Sequence, residues 1–269
     1  MKIAVVGLGL IGGSLCKALC GKYDVYGTDY DEIVKNAVEE GAIIGKADNL
    51  KDYEVVFLCT PPSETAKILE RGDFEKNQIV CDFCGIKREM AVAAEKSGNK
   101  FRYVGCHPMA GREISGFSAS EKNLFSGASL ITVVGEQTDK EAVEIIKQIG
   151  LAAGFEKFPV CDADFHDRKI AYTSQLAHIV SGAYIKSEES TDVSGYTGGS
   201  FQDMTRVAAV NEQIWKDLFM GNKDYLLSCL ENLIENLTQY KEAVKKGDEN
   251  SLLRLLKEAG EYKKRCFEK

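Results

Sequence analysis

The segment CHPMAGREISG, residues 106–116, brings a histidine, an arginine and a glutamate together in a glycine-containing turn. Histidine gains and loses a proton near neutral pH, so His107 is a candidate general base that could take a proton from a hydroxyl group. It follows the run RYVGC, which predicts a strand, and ligands of α/β proteins bind at the carboxyl ends of strands. The alternative is a buried histidine that satisfies only a local turn. Arg112 and Glu113 are the charged side chains expected near it.

A glycine-rich turn follows the first strand-like run, KIAVV. Gly7 would allow a tight bend, Gly9 would let the backbone approach a pyrophosphate, and Gly12 would let a helix pack closely on the strand. The N-terminus of that helix favours an anion. The turn therefore predicts a dinucleotide-binding site, which also includes Leu10 and Ile11.

An acidic residue in the right place supports this prediction. Asp29 ends the second strand-like run, DVYGTD, 17 residues after Gly12, where a carboxylate that binds ribose hydroxyls is expected. No arginine follows in YDEIVK to accept a 2′-phosphate, so NAD is favoured over NADP. The alternative is that Asp29 only caps the next helix. Thr60 and Pro61, after the run EVVFLC, either border the nicotinamide or form a rigid turn before a helix.

Two domains are expected in this chain of 269 residues. Six strand-like runs alternate with helical patterns up to about residue 160, which predicts an α/β Rossmann-type, doubly wound and mostly parallel sheet. Pro159 is expected to end the last strand, and a long helix is expected to begin near Asp162 or Asp164. We therefore expect a nucleotide-binding domain over residues 1–160 and an all-helical domain over residues 161–269.

The helical half ends in two amphipathic patterns. Leucines and other apolar residues recur at spacings of three and four from Leu226 to Tyr240 and again from Leu252 to Tyr262. About 110 residues offer little room to bury two such stripes within one subunit. A homodimer formed through the C-terminal helices is therefore expected.

The bulk composition excludes several classes of protein. A net charge of -7 offers no basic face for nucleic acid, and no apolar run reaches the roughly 18–20 residues that span a bilayer. No secretory leader is expected, because the opening apolar run leads directly into the glycine-rich turn. Nine scattered cysteines fit reduced thiols better than a disulfide framework, so a cytoplasmic location is expected. The segment with Cys81, Cys84 and Cys106 also permits a zinc or redox site, although neighbouring residues 106 and 107 would be awkward ligands.

Taken in order, several segments resemble those of the prephenate dehydrogenase family, which includes arogenate dehydrogenases. They extend from residue 5 to about residue 222 and comprise GLGLIGGS, TPP, DFCGIK, HPMAGREISG, SQLAH and FQDMTRVAAVNEQIWKDL. The resemblance implies an NAD(P)-binding domain followed by a helical dimerisation domain. It also implies that His107 is the catalytic histidine, Glu113 a gating acid, His178 a substrate-side histidine and Arg206 the anchor of a substrate carboxylate. Asp82, in DFCGIK, is included among the expected cofactor-binding residues.

Two positions depart from the family pattern. Gly85 stands where many relatives have a serine that is thought to contact the catalytic histidine or the substrate, which leaves that contact to water or to Ser115. Arg112 stands where a threonine is common. It would either add a second carboxylate-binding cation, which would favour prephenate over arogenate, or pair with Glu113 on the same loop.

The resemblance implies NAD-dependent oxidative decarboxylation of prephenate to 4-hydroxyphenylpyruvate in tyrosine biosynthesis, with no metal required. Without it, Arg206 would be read as a surface ion-pair partner. The nearest alternative is an arogenate dehydrogenase that forms tyrosine directly. An alternative of another class is a catalytically silent regulator that senses NAD, against which His107, His178 and Arg206 argue.

Overall fold

The computed structural model describes residues 1–98 and 100–267, and for residue 267 the backbone only. Within these residues, seven strands form one sheet in the order β2-β1-β3-β4-β5-β6-β7. The strands are β1 (Lys2–Val6), β2 (Asp24–Thr28), β3 (Val55–Leu58), β4 (Ile79–Asp82), β5 (Arg102–Pro108), β6 (Leu130–Val133) and β7 (Val160–Cys161).

Helices connect the strands and then form the rest of the described chain. The first five are α1 (Leu10–Leu19), α2 (Asp31–Glu39), α3 (Pro62–Arg71), α4 (Arg88–Lys96) and α5 (Lys140–Ala153). The later ones are α6 (Ala163–Ile170), α7 (Leu176–Ile185), α8 (Gly199–Thr205), α9 (Glu212–Gly221), α10 (Lys223–Lys246) and α11 (Glu249–Phe267). A π-helical turn, Ala171–Gln175, lies between α6 and α7.

The sheet is buried on both faces, as expected when helices cover a parallel sheet. Alternate side chains of β1 point to opposite faces. Ile3 and Val5 accordingly lie in one apolar cluster, and Ala4 and Val6 lie in the other. The central strands are continuous apolar runs for this reason. Because they are parallel, their carboxyl ends meet at the same edge of the sheet.

Strand directions confirm the predicted mostly parallel, Rossmann-type sheet. β1 to β5 run parallel, whereas β6 is antiparallel to β5, with His107 opposite Ile131. The prediction that Pro159 ends the last strand is wrong, because β7 follows it and pairs with β6. The predicted start of the long helix is confirmed. Asp162 caps α6, its side chain accepting a hydrogen bond from the amide of Phe165 at 2.7 Å.

The chain divides into two compact units, Met1–Lys223 and Asp224–Lys269. The second contains almost all of α10 and the whole of α11, which match the two predicted amphipathic stretches. Apolar side chains on both helices are more than half exposed, including Leu237 and Leu256. Among the described residues, no helix combines the length and the apolar character needed to cross a membrane.

Candidate functional site

The glycine turn between β1 and α1 has the geometry that a dinucleotide requires. Gly7 has a positive φ of 88°, and a Cβ there would lie 2.8 Å from the carbonyl oxygen of Cys59. A Cβ on Gly12 would lie 1.8 Å from the carbonyl oxygen of Gly7, so only glycine lets α1 pack this closely. A Cβ on Gly9 would meet nothing within 4 Å. The space over Gly9, at the uncapped N-terminus of α1, is thus open to a pyrophosphate.

Asp29 lies at the end of β2, next to this turn. Its Oδ2 accepts a hydrogen bond from the amide of Leu8 at 2.6 Å, and its Oδ1 accepts one from the amide of Tyr30 at 2.7 Å. The carboxylate therefore helps to fix the glycine turn. It does not bond the amides of the first turn of α2, which argues against the alternative that Asp29 only caps this helix. A carboxylate has about four acceptor positions, so it can still receive ribose hydroxyls.

The Thr60–Pro61 turn follows β3 at the same edge of the sheet. Thr60 Oγ1 shares a hydrogen bond of 2.8 Å with Thr65 Oγ1, and the Thr60 carbonyl accepts one from the Thr65 hydroxyl at 3.0 Å. Pro62 begins α3. The turn is therefore rigid and precedes a helix, as one interpretation of the sequence expected. Because the turn also lies at the carboxyl edge of the sheet, the other interpretation, that it borders the nicotinamide, stays a prediction. Leu10 and Ile11 are half-buried at the start of α1.

Asp82 has a structural role, which differs from the cofactor contact expected of it. Its carboxylate is fully buried and forms an ion pair with the equally buried Lys87. The hydroxyl of Tyr103 donates to its Oδ2 at 2.7 Å, and the amide of Cys84 donates to its Oδ1 at 2.9 Å. Donors from the protein thus surround this anion, as the burial of a charge requires.

His107 is the second-last residue of strand β5, so its backbone is held by the sheet. Its Nδ1 lies 2.9 Å from Nε2 of His166 on α6. Its Nε2 faces Gly85, where an added Cβ would lie 3.7 Å away. The same Cβ would meet Leu218 Cδ2 at 3.1 Å. The position of the family's serine therefore does adjoin the histidine, but in this chain Leu218 of α9 approaches that space.

A second group gathers around His178 on α7. Its Nδ1 lies 2.9 Å from the carbonyl oxygen of Val207, and its ring contacts that of Trp215 of α9, with centroids 3.7 Å apart and the ring planes tilted by 39°. Arg206, at the end of α8, pairs with Glu113 of the loop that follows β5, with Nη1 2.5 Å from Oε1. Burial lowers the pKa of His178, the Val207 carbonyl and Glu113 raise it, and Arg206 lowers it, with a net lowering.

Helix α9 connects the two groups. Trp215 contacts His178, and Leu218, three residues further on, lies beside Gly85 and His107. Residues three apart on a helix share a face. His107 and His178 therefore lie along one face of α9, near the edge of the sheet that carries the glycine turn.

Arg112 does not form the pair with Glu113 that one of the two alternatives expected, whereas the other alternative, a contact with a substrate carboxylate, stays a prediction. It pairs with Glu121, whereas Glu113 pairs with Arg206. The amide of Glu121 in turn donates to Ser14 Oγ on α1 at 2.9 Å, so this end of the loop is fixed to the nucleotide-binding helix. Ser115 is exposed on the loop, and the ring of His107 bonds His166 instead.

Sequence reasoning missed His166, Asp167 and Trp215. His166 and Asp167 are both buried in the first turns of α6, and neither spacing nor composition distinguishes them from an ordinary histidine and aspartate. The available signals were weak. His166 and Asp167 follow Asp162, which is a favourable N-cap residue. Trp215 is the one tryptophan of the chain and lies in the same segment as Arg206.

The cysteines near the site are buried free thiols. Cys81, Cys84 and Cys106 lie in or just after β4 and β5. Burial raises the pKa of Cys84 to about 12. Over the described ranges, no group of three or more histidine, cysteine, aspartate or glutamate side chains could hold a metal ion.

Two family models match the chain. The model for the nucleotide-binding domain of prephenate dehydrogenase matches residues 12–155, and the model for its dimerization domain matches residues 162–258. The chain belongs to the prephenate dehydrogenase family. The fold and the resemblance expected from the sequence are thereby confirmed.

Individual members of the family are similar over nearly the whole chain. A prephenate dehydrogenase of Bacillus subtilis is 29% identical over 97% of this chain and 75% of its own length. A crystal structure of prephenate dehydrogenase from A. aeolicus, in complex with hydroxyphenyl propionate and NAD+, has a TM-score of 0.86 and 28% identity, and it covers 99% of this chain and 98% of that one. Synechocystis arogenate dehydrogenase has a TM-score of 0.81 and 26% identity, covering 98% and 99%.

Proposed function

We propose that this protein is an NAD-dependent prephenate dehydrogenase, which oxidises prephenate with loss of carbon dioxide and forms 4-hydroxyphenylpyruvate. The observation that carries the proposal is the arrangement of His107 and His178 along α9. Arg206 directly precedes Val207, whose carbonyl contacts His178, and the open glycine turn lies at the same sheet edge as His107. A base, a carboxylate-binding cation and a dinucleotide turn are the parts that this reaction needs.

Gly7, Gly9 and Gly12, with Leu10 and Ile11, would hold the pyrophosphate of NAD, and Asp29 would hold its ribose hydroxyls. The Thr60–Pro61 turn would border the nicotinamide. When bound, NAD supplies the acceptor for the hydride. Asp29 also disfavours a 2′-phosphate, because its charge would repel that group.

His107 would act on the ring hydroxyl of prephenate. Its Nε2, the nitrogen that faces Gly85, takes the hydroxyl proton while the carbon that bears this hydroxyl is oxidised to a carbonyl. The carboxylate opposite then leaves as carbon dioxide, and its bonding electrons complete the aromatic ring. Formation of the aromatic ring drives this loss of carbon dioxide.

Arg206 would bind one of the two carboxylates, because its planar guanidinium can donate two parallel hydrogen bonds. In the structure Glu113 occupies this guanidinium, so a substrate carboxylate must replace it. Glu113 thus acts as a gating acid on the loop. His178 donates through Nδ1 to the Val207 carbonyl, so its Nε2 accepts from a hydroxyl when neutral and donates to a carboxylate when protonated.

Arogenate oxidation is the second candidate, because the Synechocystis arogenate dehydrogenase is also similar over nearly the full chain. Arogenate carries an ammonium group where prephenate has a ketone. Arg112 would discriminate against it only if its pair with Glu121 opens and the side chain turns toward the substrate.

The deciding experiment measures absorbance at the reduced-nicotinamide band with NAD and either prephenate or arogenate at equal concentration. We expect rapid reduction with prephenate. Reduction with arogenate alone would overturn the choice of substrate and keep the fold and the base. No reduction with either would favour a regulator that senses NAD without turnover.

We also propose a homodimer formed through the C-terminal helices, with the domain boundary near residue 160. The exposed apolar side chains of α10 and α11 and the match of residues 162–258 to a dimerization domain support it. The gap between the two family matches, between residues 155 and 162, supports the boundary.

A further inference from the structure

A buried histidine and aspartate stand behind the proposed base. His166 is 1% exposed, and its ring meets that of His107 edge-to-face, with centroids 5.1 Å apart. Its Nε2 lies 2.9 Å from His107 Nδ1, and its Nδ1 lies 2.7 Å from Asp167 Oδ1. A continuous chain of two hydrogen bonds thus joins a buried carboxylate to the ring nitrogen of His107 that faces away from Gly85.

The charge of Asp167 is held in place by helix α4. The amide of Lys87 donates to its Oδ1 at 2.8 Å, and the amide of Arg88 donates to its Oδ2 at 2.9 Å. Lys87 is the N-cap of α4 but provides no side-chain cap, so Asp167 caps this helix from α6. Backbone N–H groups at a helix N-terminus favour an ionised carboxylate. Asp167 can therefore only accept hydrogen bonds.

The positions of the ring protons follow from this. Because Asp167 accepts, His166 must donate from Nδ1, and a neutral imidazole that has its proton on Nδ1 has a lone pair on Nε2. That lone pair faces His107, so His107 must donate from its own Nδ1. The lone pair of neutral His107 is then on Nε2, the atom that faces Gly85. Burial lowers the pKa of both rings, with a smaller opposing effect of Asp167 on His166, so both rings are neutral at pH 7.

We propose that His166 is a positioning residue that, together with Asp167, holds His107 in the tautomer whose Nε2 can take the substrate's hydroxyl proton. The inference rests on the proposed role of His107 as the base. Without His166, the proton of His107 could lie on either nitrogen, and only one of these tautomers is basic toward the substrate. When Nε2 takes the proton, His166 still accepts from Nδ1, and Asp167 compensates the charge of the pair.

Two substitutions of similar size separate this role from packing. His166→Gln keeps a carbonyl oxygen that can accept from His107 and an amide that can donate to Asp167, whereas His166→Met keeps volume but offers only a weak thioether acceptor. We expect His166→Met to lower kcat by roughly 10²- to 10⁴-fold with little change in KM, and His166→Gln to recover most of this loss. Equal losses in both variants, at equal thermal stability, would overturn the proposal, and so would wild-type kcat in His166→Met.

The tautomer can also be read without turnover. In protein labelled with ¹⁵N at its three histidines, the His107 signals are assigned by their loss in His107→Gln. We expect a protonated Nδ1 and an unprotonated Nε2 in the wild type and in His166→Gln, and a shift toward protonated Nε2 in His166→Met. A protonated Nε2 in the wild type would overturn the inference.

This second measurement separates the two proposals. If neither prephenate nor arogenate is oxidised but the tautomer responds to His166→Met, the proposed function fails and the positioning stands. If prephenate is oxidised but the tautomer does not respond, the positioning fails and the function stands.

Discussion

The surroundings of His107 all lower the pKa of its ring. Burial lowers the pKa of the ring most, and the nearby His166 and Lys87 lower it further, to well below the ordinary value of 6.5. A histidine that must be neutral to accept a proton gains from this, because it stays in its basic form in more acidic solution. The residue is therefore prepared for its proposed role before any substrate binds.

This lowered pKa predicts the pH dependence of activity. Protonation of His107 removes the base, so kcat/KM should fall only as the pH drops through the lowered pKa, and the acid limb should lie below pH 6.5. The measurement is kcat/KM for prephenate across pH ~5 to ~8. NAD affinity over the same range is the control, since it should stay level if the limb reports the base. An acid limb above pH 6.5 would contradict the burial of a neutral ring.

At the scale of single elements, the loop after β5 joins the nucleotide helix to the substrate cation. Glu121 binds Ser14 of α1 and pairs with Arg112, while Glu113 pairs with Arg206. Glu121 therefore fixes the loop to α1, whereas the contact of Glu113 with Arg206 is the one that competes with substrate.

Glu113→Gln should release Arg206 for the substrate carboxylate. Because exposed ion pairs contribute about 0.4–1 kcal/mol, we expect KM for prephenate to fall about two- to five-fold, with kcat nearly unchanged. Arg112→Thr removes the other ion pair of the same loop and is the matched control, for which we expect an unchanged KM. An increase of KM in Glu113→Gln would show that Glu113 binds substrate and does not compete with it. Trp215, whose ring contacts that of His178, offers a fluorescence signal for binding in both variants.

The pair of Asp82 and Lys87 fixes the turn between β4 and α4. Burial alone would lower the pKa of Lys87, but the Asp82 carboxylate and neighbouring thiols outweigh it, so its net pKa lies above the ordinary value. Removal of one partner leaves a buried charge unpaired. We therefore expect Lys87→Met to lower the free energy of unfolding by about 3–5 kcal/mol, measured by denaturant titration.

Adding Asp82→Asn to Lys87→Met should restore part of this loss, because the unpaired anion is then removed. The control is Lys35→Met, at a lysine whose side chain is 74% exposed, for which we expect a change within about 0.5 kcal/mol. A loss in Lys87→Met no larger than in this control would show that the pair contributes little to stability.

The sequence predicted the glycine turn and six of the seven strands, because burial on both faces leaves apolar runs that local composition reveals, whereas the two-residue β7 is too short to leave such a run. It could not predict which residues meet across long separations. His107 and His166 are 59 positions apart, and no pattern marks either as the partner of the other. Asp82 was expected to bind the cofactor because the segment DFCGIK resembles one of the family's, and only the packing of Lys87 and Tyr103 around it shows that it is enclosed.

At the scale of the whole molecule, the two terminal helices present apolar surface that one chain leaves uncovered. Seven large side chains on them are 56–66% exposed: Leu227, Ile234, Leu237, Val244, Leu253, Leu256 and Tyr262. A contiguous exposed apolar patch is typical of an interaction site. A second copy of the chain is the partner that the family's dimerization domain implies.

Light scattering at micromolar concentration should give twice the chain mass of 29.6 kDa. Leu237→Glu should shift the mass toward the monomer, because a charge in an apolar interface is desolvated without a partner. Leu151→Glu, at a leucine of α5 that is 47% exposed, is the matched control and should leave the mass unchanged. A wild-type mass near that of one chain would refute the dimer.

The capping of α4 by Asp167 also has a consequence for how the protein matures. Asp167 lies 80 positions beyond Lys87, so a growing polypeptide that has completed the first five strands has not yet made the acceptor for the Lys87 and Arg88 amides. The same late segment brings His166 to His107. The capping of α4 and the proposed positioning of His107 therefore depend on the same late segment. A chain whose synthesis has stopped before that segment has neither.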